Sequence, residues 1–168
     1  MGLLRSRALP WTLFALAAVA AGAFAYLWRV AAAPGAQRAA VEGATRRFVR
    51  ALTNFSSQTI DADVEEIRSF ATGSFAEEVD TLFSPETIAA VKEAGASSRG
   101  EVRSIYVERL DEGEARVFVV VDETRSNDLS PAPVTDTVRM AIRLVLEDGT
   151  WKVAHLRLFQ TPAEQPSG

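Results

Sequence analysis

Apolar residues along this chain follow three different rhythms: unbroken near the N-terminus, spaced by three and four in the middle, and close to alternating toward the end. The middle rhythm predicts helices, because residues three and four apart share one helix face. Val41, Ala44, Phe48, Leu52 and Phe55 form one such stripe, from which Arg46, Arg47, Arg50 and Asn54 fall away. Ile60, Val64, Ile67 and Ala71 predict a second helix over Asp61 to Ala71, with Asp61, Asp63, Glu65 and Glu66 in its first turns and Gly73 ending it. A third helix follows Ser74, with Phe75, Val79 and Leu82 on one side. A fourth opens on Ser84-Pro85-Glu86, a capping serine followed by proline at the first helical position, and runs to Gly95. Ala96 to Arg99 is left as a loop.

The last rhythm predicts four consecutive strands between Gly100 and Gln160. Asp111-Glu112-Gly113 and Asp148-Gly149 separate them with turn residues. Helices first and an antiparallel meander second define an α+β layout, with helices packed on one face of a curved four-stranded antiparallel sheet, a cone. If Trp151, Val153 and Phe159 face the helices, alternation puts His155 and Arg157 inward and Leu156 and Leu158 outward. The run Val117 to Val121 is apolar at every position, so Phe118 and Val120 also point outward. With Ala141 and Val145 they would make an apolar outer patch, a contact surface for a partner or a second copy unless Asn127 to Pro133 folds over it.

Trp11 to Trp28 contains no charge, and eighteen residues at ~1.5 Å each reach roughly 27 Å, enough for a bilayer core. Trp11 stands at one end and Tyr26 and Trp28 at the other, where aromatic anchors collect, and Arg5 and Arg7 precede it against Arg29 after it. The expectation is a single-pass anchor in the cell membrane: residues 1–10 cytoplasmic, 11–30 transmembrane, 31–39 a linker, 40–160 an extracytoplasmic domain and 161–168 a disordered tail. Ala31-Ala32-Ala33 would also suit cleavage of a signal peptide, although the apolar stretch is longer than such signals need. Either way the domain is exported.

Composition narrows the chemistry. The chain has 168 residues and no cysteine, which removes disulfides, thiol nucleophiles and thiolate metal sites. Every acidic residue lies after Pro34, where fifteen basic residues face twenty-two acidic ones, a net charge of −7 that argues against nucleic acid. The acidic cluster from Asp61 fails as a calcium loop, because Glu66 stands where glycine is needed and Thr72 where glutamate is needed. Asn54-Phe55-Ser56 matches a glycosylation sequon but falls in the expected first helix. Phosphate-loop, zinc-protease and nucleophile-elbow signatures do not occur, and neither metal nor cofactor is implied. His155 is the only histidine, and a proton-transfer site in the cone would have to combine it with Tyr106, Asp122 or Arg157. Trp151, Phe48 and Phe55 are the apolar candidates to line such a pocket.

Three short motifs, taken in order, carry a family resemblance: Ala71-Thr72-Gly73-Ser74-Phe75, Val119-Val120-Val121-Asp122-Glu123-Thr124, and Asp148-Gly149-Thr150-Trp151-Lys152-Val153. The chain resembles the Mce-associated membrane proteins, which join one N-terminal transmembrane helix to an extracytoplasmic NTF2-like (cystatin-like) domain. The resemblance implies a non-catalytic accessory or stabilising subunit of an Mce-type lipid import system. Its partners would be Mce-type proteins and their permease, with membrane lipid nearby and a homo-oligomer conceivable. No catalytic residue is transferred. The alternative is that of other NTF2-like proteins, a binder of small apolar ligands or an isomerase- or dehydratase-like enzyme using the cone.

Overall fold

A computed structural model of the protein describes residues 35–159 except 131. The expected anchors Trp11, Tyr26 and Trp28, and the expected tail, lie outside the described residues. Among the described residues no helix is long and apolar enough to cross a membrane. Helix α1 covers residues 35–53, so the last five positions of the expected linker are already helical. It is followed by β1 (Phe55–Ser56), α2 (Ile60–Phe70), α3 (Gly73–Leu82) and α4 (Pro85–Glu93). Then come the long strands β2 (Ser97–Asp111), β3 (Glu114–Ser126), β4 (Val134–Glu147) and β5 (Thr150–Phe159). The sheet has five strands in sequence order, every neighbouring pair antiparallel.

The fifth strand corrects the expected four. Phe55 was placed on the first helical stripe, but α1 ends at residue 53 and Phe55 pairs with Ser98 in β1. Asn54 at this turn accepts the Gly100 backbone N–H at 2.7 Å, so the sequon lies at a helix end and its side chain is engaged. At Gly100 only hydrogen fits, since a Cβ there would stand 2.1 Å from the Thr53 hydroxyl oxygen. Strand β2 begins at Ser97, three residues before the expected Gly100, and runs past the close approach of α1.

The core fills the space between sheet and helices. Val41, Ala44, Phe48 and Val49 of α1, Ile67 of α2, and Phe75 and Val79 of α3 pack on Val117, Val119, Val121, Met140, Ile142, Leu144, Trp151 and Val153. Burying each such aliphatic or aromatic side chain stabilises the fold by about 1.5–3 kcal/mol before chain entropy is counted. Thr45 and Thr53 share the buried side of α1 because their hydroxyls donate back to the Val41 and Val49 carbonyls at 2.8 and 2.7 Å. The Asp148-Gly149 turn is as expected: both residues have positive φ, 48° and 77°, between the paired Glu147 and Thr150. Leu82, expected on the buried side of α3, is instead exposed near the helix end.

Strand alternation is interrupted three times. On β2 the inward residues Val102, Ile105, Val107 and Leu110 are spaced by three, two and three, because Arg103 and Glu108 are extra residues in bulges. On β5 Leu144 pairs with Val153 but Arg143 with His155, leaving Ala154 as the extra residue. The last bulge reverses every assignment after it.

Candidate functional site

Beyond the Ala154 bulge, Leu156 pairs with the buried Ile142 and joins the core, whereas His155 and Arg157 pair with Arg143 and Ala141 on the outer face. This corrects the expectation that His155 and Arg157 line the cone and that Leu156 and Leu158 face outward. Leu158 lies opposite buried Met140, on the helix side, but at the strand end it is 54% exposed. Tyr106 is also an outer-face residue, opposite Phe118 and 57% exposed. Asp122, outside too, accepts from Arg103 and from the Thr137 hydroxyl. The Arg103 hydrogen bond is the main cause that holds the Asp122 carboxyl below its ordinary value, opposed by desolvation and helped by Thr137.

The proton-transfer candidates therefore do not converge inside the cone. Among the described residues the buried polar side chains are Thr45, Thr53 and Ser98, none of them ionisable. Ser98 donates to Glu123 at 2.7 Å, so all three hydroxyls are engaged. Phe48 has no exposure, and its ring meets those of Phe70 and Phe75 edge to face at 6.1 and 5.8 Å. Trp151 is 7% exposed. Both fill the core, and neither lines any of the surface concavities that follow.

One concavity of about 540 Å³ lies where α1, β1 and β2 meet, lined by Arg50, Asn54, Phe55, Ser98, Arg99 and Glu101 among others. Of the apolar pocket candidates only Phe55 reaches it. A neighbouring one of about 330 Å³ is bounded by Arg47, Arg50, Asn54 and Glu66. A third, about 360 Å³, lies against the outer face and includes Glu108, Arg116, Arg143, His155 and Arg157. That last group was invisible to strand-by-strand reading, because it depends on register across the sheet.

Of the six residues expected to point outward, Phe118, Val120, Ala141 and Val145 are on the outer face, half-buried, and Phe118 touches the Phe159 ring at 6.0 Å between centroids. Phe159 thus faces outward, against the expectation that placed it in the core. The described part of the β3–β4 loop does not cover this face. Its Asp128 N–H donates to the Ala94 carbonyl at 3.0 Å, tying it to the end of α4. The motif residues Ala71 and Thr72 meet the last hairpin: the Thr72 N–H donates to Val153 O at 2.9 Å and its hydroxyl to Glu147 at 2.8 Å. Two of the three motifs are thereby joined into one corner.

A helical layer on a curled antiparallel meander, entered through a long first helix, defines an NTF2-like fold of the kind found in type IV secretion components. The VirB8 protein of Agrobacterium tumefaciens superposes with a TM-score of 0.63 at 11% identity, over 77% of this chain and 96% of that one. The periplasmic domain of DotI does so at 0.61 and 10% identity, over 73% and 95%. CagV of Helicobacter pylori, a VirB8 homologue, gives 0.59 and 15%, over 73% and 98%. In sequence, the chain is similar to an uncharacterised protein of Mycobacterium tuberculosis, found in strains CDC 1551 and H37Rv, at 29% identity over 119 residues. That match takes in 71% of this chain and 54% of the relative, so the chain spans about half the length of the curated relatives it matches. No known protein family profile matches the chain.

Proposed function

We propose that the protein is a non-catalytic accessory subunit of an Mce-type lipid import system, with residues 11–30 crossing the membrane and the NTF2-like domain outside the cytoplasm. The observation that carries this reading is the composition of the cone: its buried positions are apolar or hydroxyl-bearing, and the histidine, arginine, tyrosine and aspartate that an enzyme would use stand on the other side of the sheet. A filled cone acts as a scaffold, and proton transfer needs ionisable groups converging on a substrate. Two further facts support the reading. Two of the three motifs of the family resemblance meet in one corner at Thr72, Glu147 and Val153, and the same fold occurs in CagV, a VirB8 homologue of a type IV secretion system.

The test is affinity purification of the full-length chain from crosslinked native membranes, followed by mass spectrometry. Mce proteins and their permease should be recovered with it. Recovery of secretion components without any Mce protein would overturn the reading, and so would recovery of the chain alone with a small apolar molecule bound in the domain.

A further inference from the structure

Sheet register brings four basic or imidazole side chains level with one another on the outer face. Arg109 pairs with Arg116, Arg116 with Arg143, and Arg143 with His155, one from each of β2, β3, β4 and β5. Directly opposed side chains have Cβ atoms about 4.5–5.5 Å apart, a distance at which like charges destabilise a sheet. Arg109 is compensated by Asp111 at 2.5 Å. Among the described residues no carboxylate lies within ion-pair distance of Arg116, Arg143 or Arg157, while Glu108 is the single acid bordering the depression they share.

The other end of the same face is different. There Arg103 is paired with Asp122, whose other carboxylate oxygen accepts from the Thr137 hydroxyl at 3.0 Å. The outer face thus pairs Arg103 at one end and leaves Arg116 and Arg143 without a carboxylate partner among the described residues at the other, in a chain whose net charge is −4. A row of uncompensated guanidinium groups in a depression of about 360 Å³ is suited to an anion, and the planar fork of arginine fits phosphate in particular.

The next two levels along the strands carry apolar side chains of this face, interleaved with Arg157 on the first and Ser104 and Arg139 on the second. Tyr106, Phe118 and Ala141 lie side by side, followed by Val120 and Phe159, and the Arg157 guanidinium stacks 5.1 Å from the centre of the Phe159 ring. Two residues along a strand are about 7 Å, so the cationic row and the aromatic shelf are a glycerol length apart. An acidic peptide would find donors for its carboxylates but no hydrogen-bonding partner for its backbone on the aromatic shelf. An amphiphile satisfies both rows.

We propose that this outer face binds an anionic phospholipid, its phosphate on Arg116 and Arg143 and its glyceryl and first acyl carbons on Phe118 and Phe159. The assignment stands independently of the accessory-subunit reading. The full-length chain in an uncharged detergent is titrated with phosphatidylglycerol, phosphatidylcholine, inorganic phosphate and a glutamate-rich peptide, and bound species are counted by native mass spectrometry. Phosphatidylglycerol should bind about tenfold or more tightly than phosphatidylcholine, and the R116Q/R143Q variant should erase that difference. The ring resonances of His155, the only histidine, should shift with phosphatidylglycerol alone. F118A should weaken the lipid without creating phosphate binding. Because the double variant relieves opposed charges, its melting temperature should equal or exceed the parent's, which separates lost binding from lost folding. A preference for phosphatidylglycerol that survives R116Q/R143Q overturns the site. Phosphate bound as tightly as lipid assigns it to a free anion instead, and tighter binding of the peptide assigns it to a protein partner; either result refutes the proposal.

Discussion

Replacing Phe48 with alanine is the most searching perturbation of the fold, because this ring stands at the junction of α1, α2 and α3. It is wholly buried and meets Phe70 and Phe75 edge to face at 6.1 and 5.8 Å. Phe to Ala in a core costs about 3–5 kcal/mol, a sum that already includes roughly 0.5–1.5 kcal/mol for each aromatic pair. Against a domain stability of about 5–15 kcal/mol that is a large fraction. At ~4 °C per kcal/mol, the melting temperature should fall by about 12–20 °C. Thermal melting of the full-length chain followed by far-ultraviolet circular dichroism measures it, with Phe118→Ala on the outer face as comparison, expected to lose about 1–2 kcal/mol. A Phe48→Ala melt within about 3 °C of the parent, or a larger loss for Phe118→Ala than for Phe48→Ala, would refute the packing described for the cone.

Two further outcomes follow from the strand geometry. Leu156→Asp should destabilise by several kcal/mol, because it places a carboxylate opposite buried Ile142, whereas His155→Asp should leave the melting temperature nearly unchanged; the reverse order would mean that Ala154 is not a bulge. The Asp122 carboxyl is held low by Arg103, so their interaction stabilises the fold above the ordinary aspartate range and is lost as pH falls through the depressed folded value. Arg103→Gln should therefore melt lower than the parent at neutral pH and converge with it in strong acid. A gap that widens toward acid would contradict that sign.

Much of the fold was legible because its signals are local. The stripe through Val41, Ala44 and Phe48, the Ser84-Pro85 start of α4 and the Asp148-Gly149 hairpin each follow from a few neighbouring residues. What escaped depends on contacts between distant segments. Strand β1 is two residues long and exists because α1 closes on Gly100, a glycine that sequence alone does not connect with Thr53. The three bulges leave only irregular spacings, and the one at Ala154 turned His155, Leu156, Arg157 and Phe159 to the opposite faces from those expected. The cationic row was hidden for the same reason: Arg109 and His155 are far apart in sequence and become level only through three strand registers. The unbroken apolar run Val117 to Val121 has its odd positions buried in the core and Phe118 and Val120 half-buried on the other face.

The central claim, that this chain serves as an accessory subunit supporting an Mce-type importer, is tested most directly by deleting its gene and measuring the steady-state amounts of the Mce proteins and permease in the membrane by quantitative mass spectrometry. The account predicts that these subunits fall together and recover when the full-length chain is restored, including a His155→Ala form, since His155 stands on the outer face and not in the core of the cone. Unchanged subunit levels with unchanged lipid uptake in the deletion strain would contradict it.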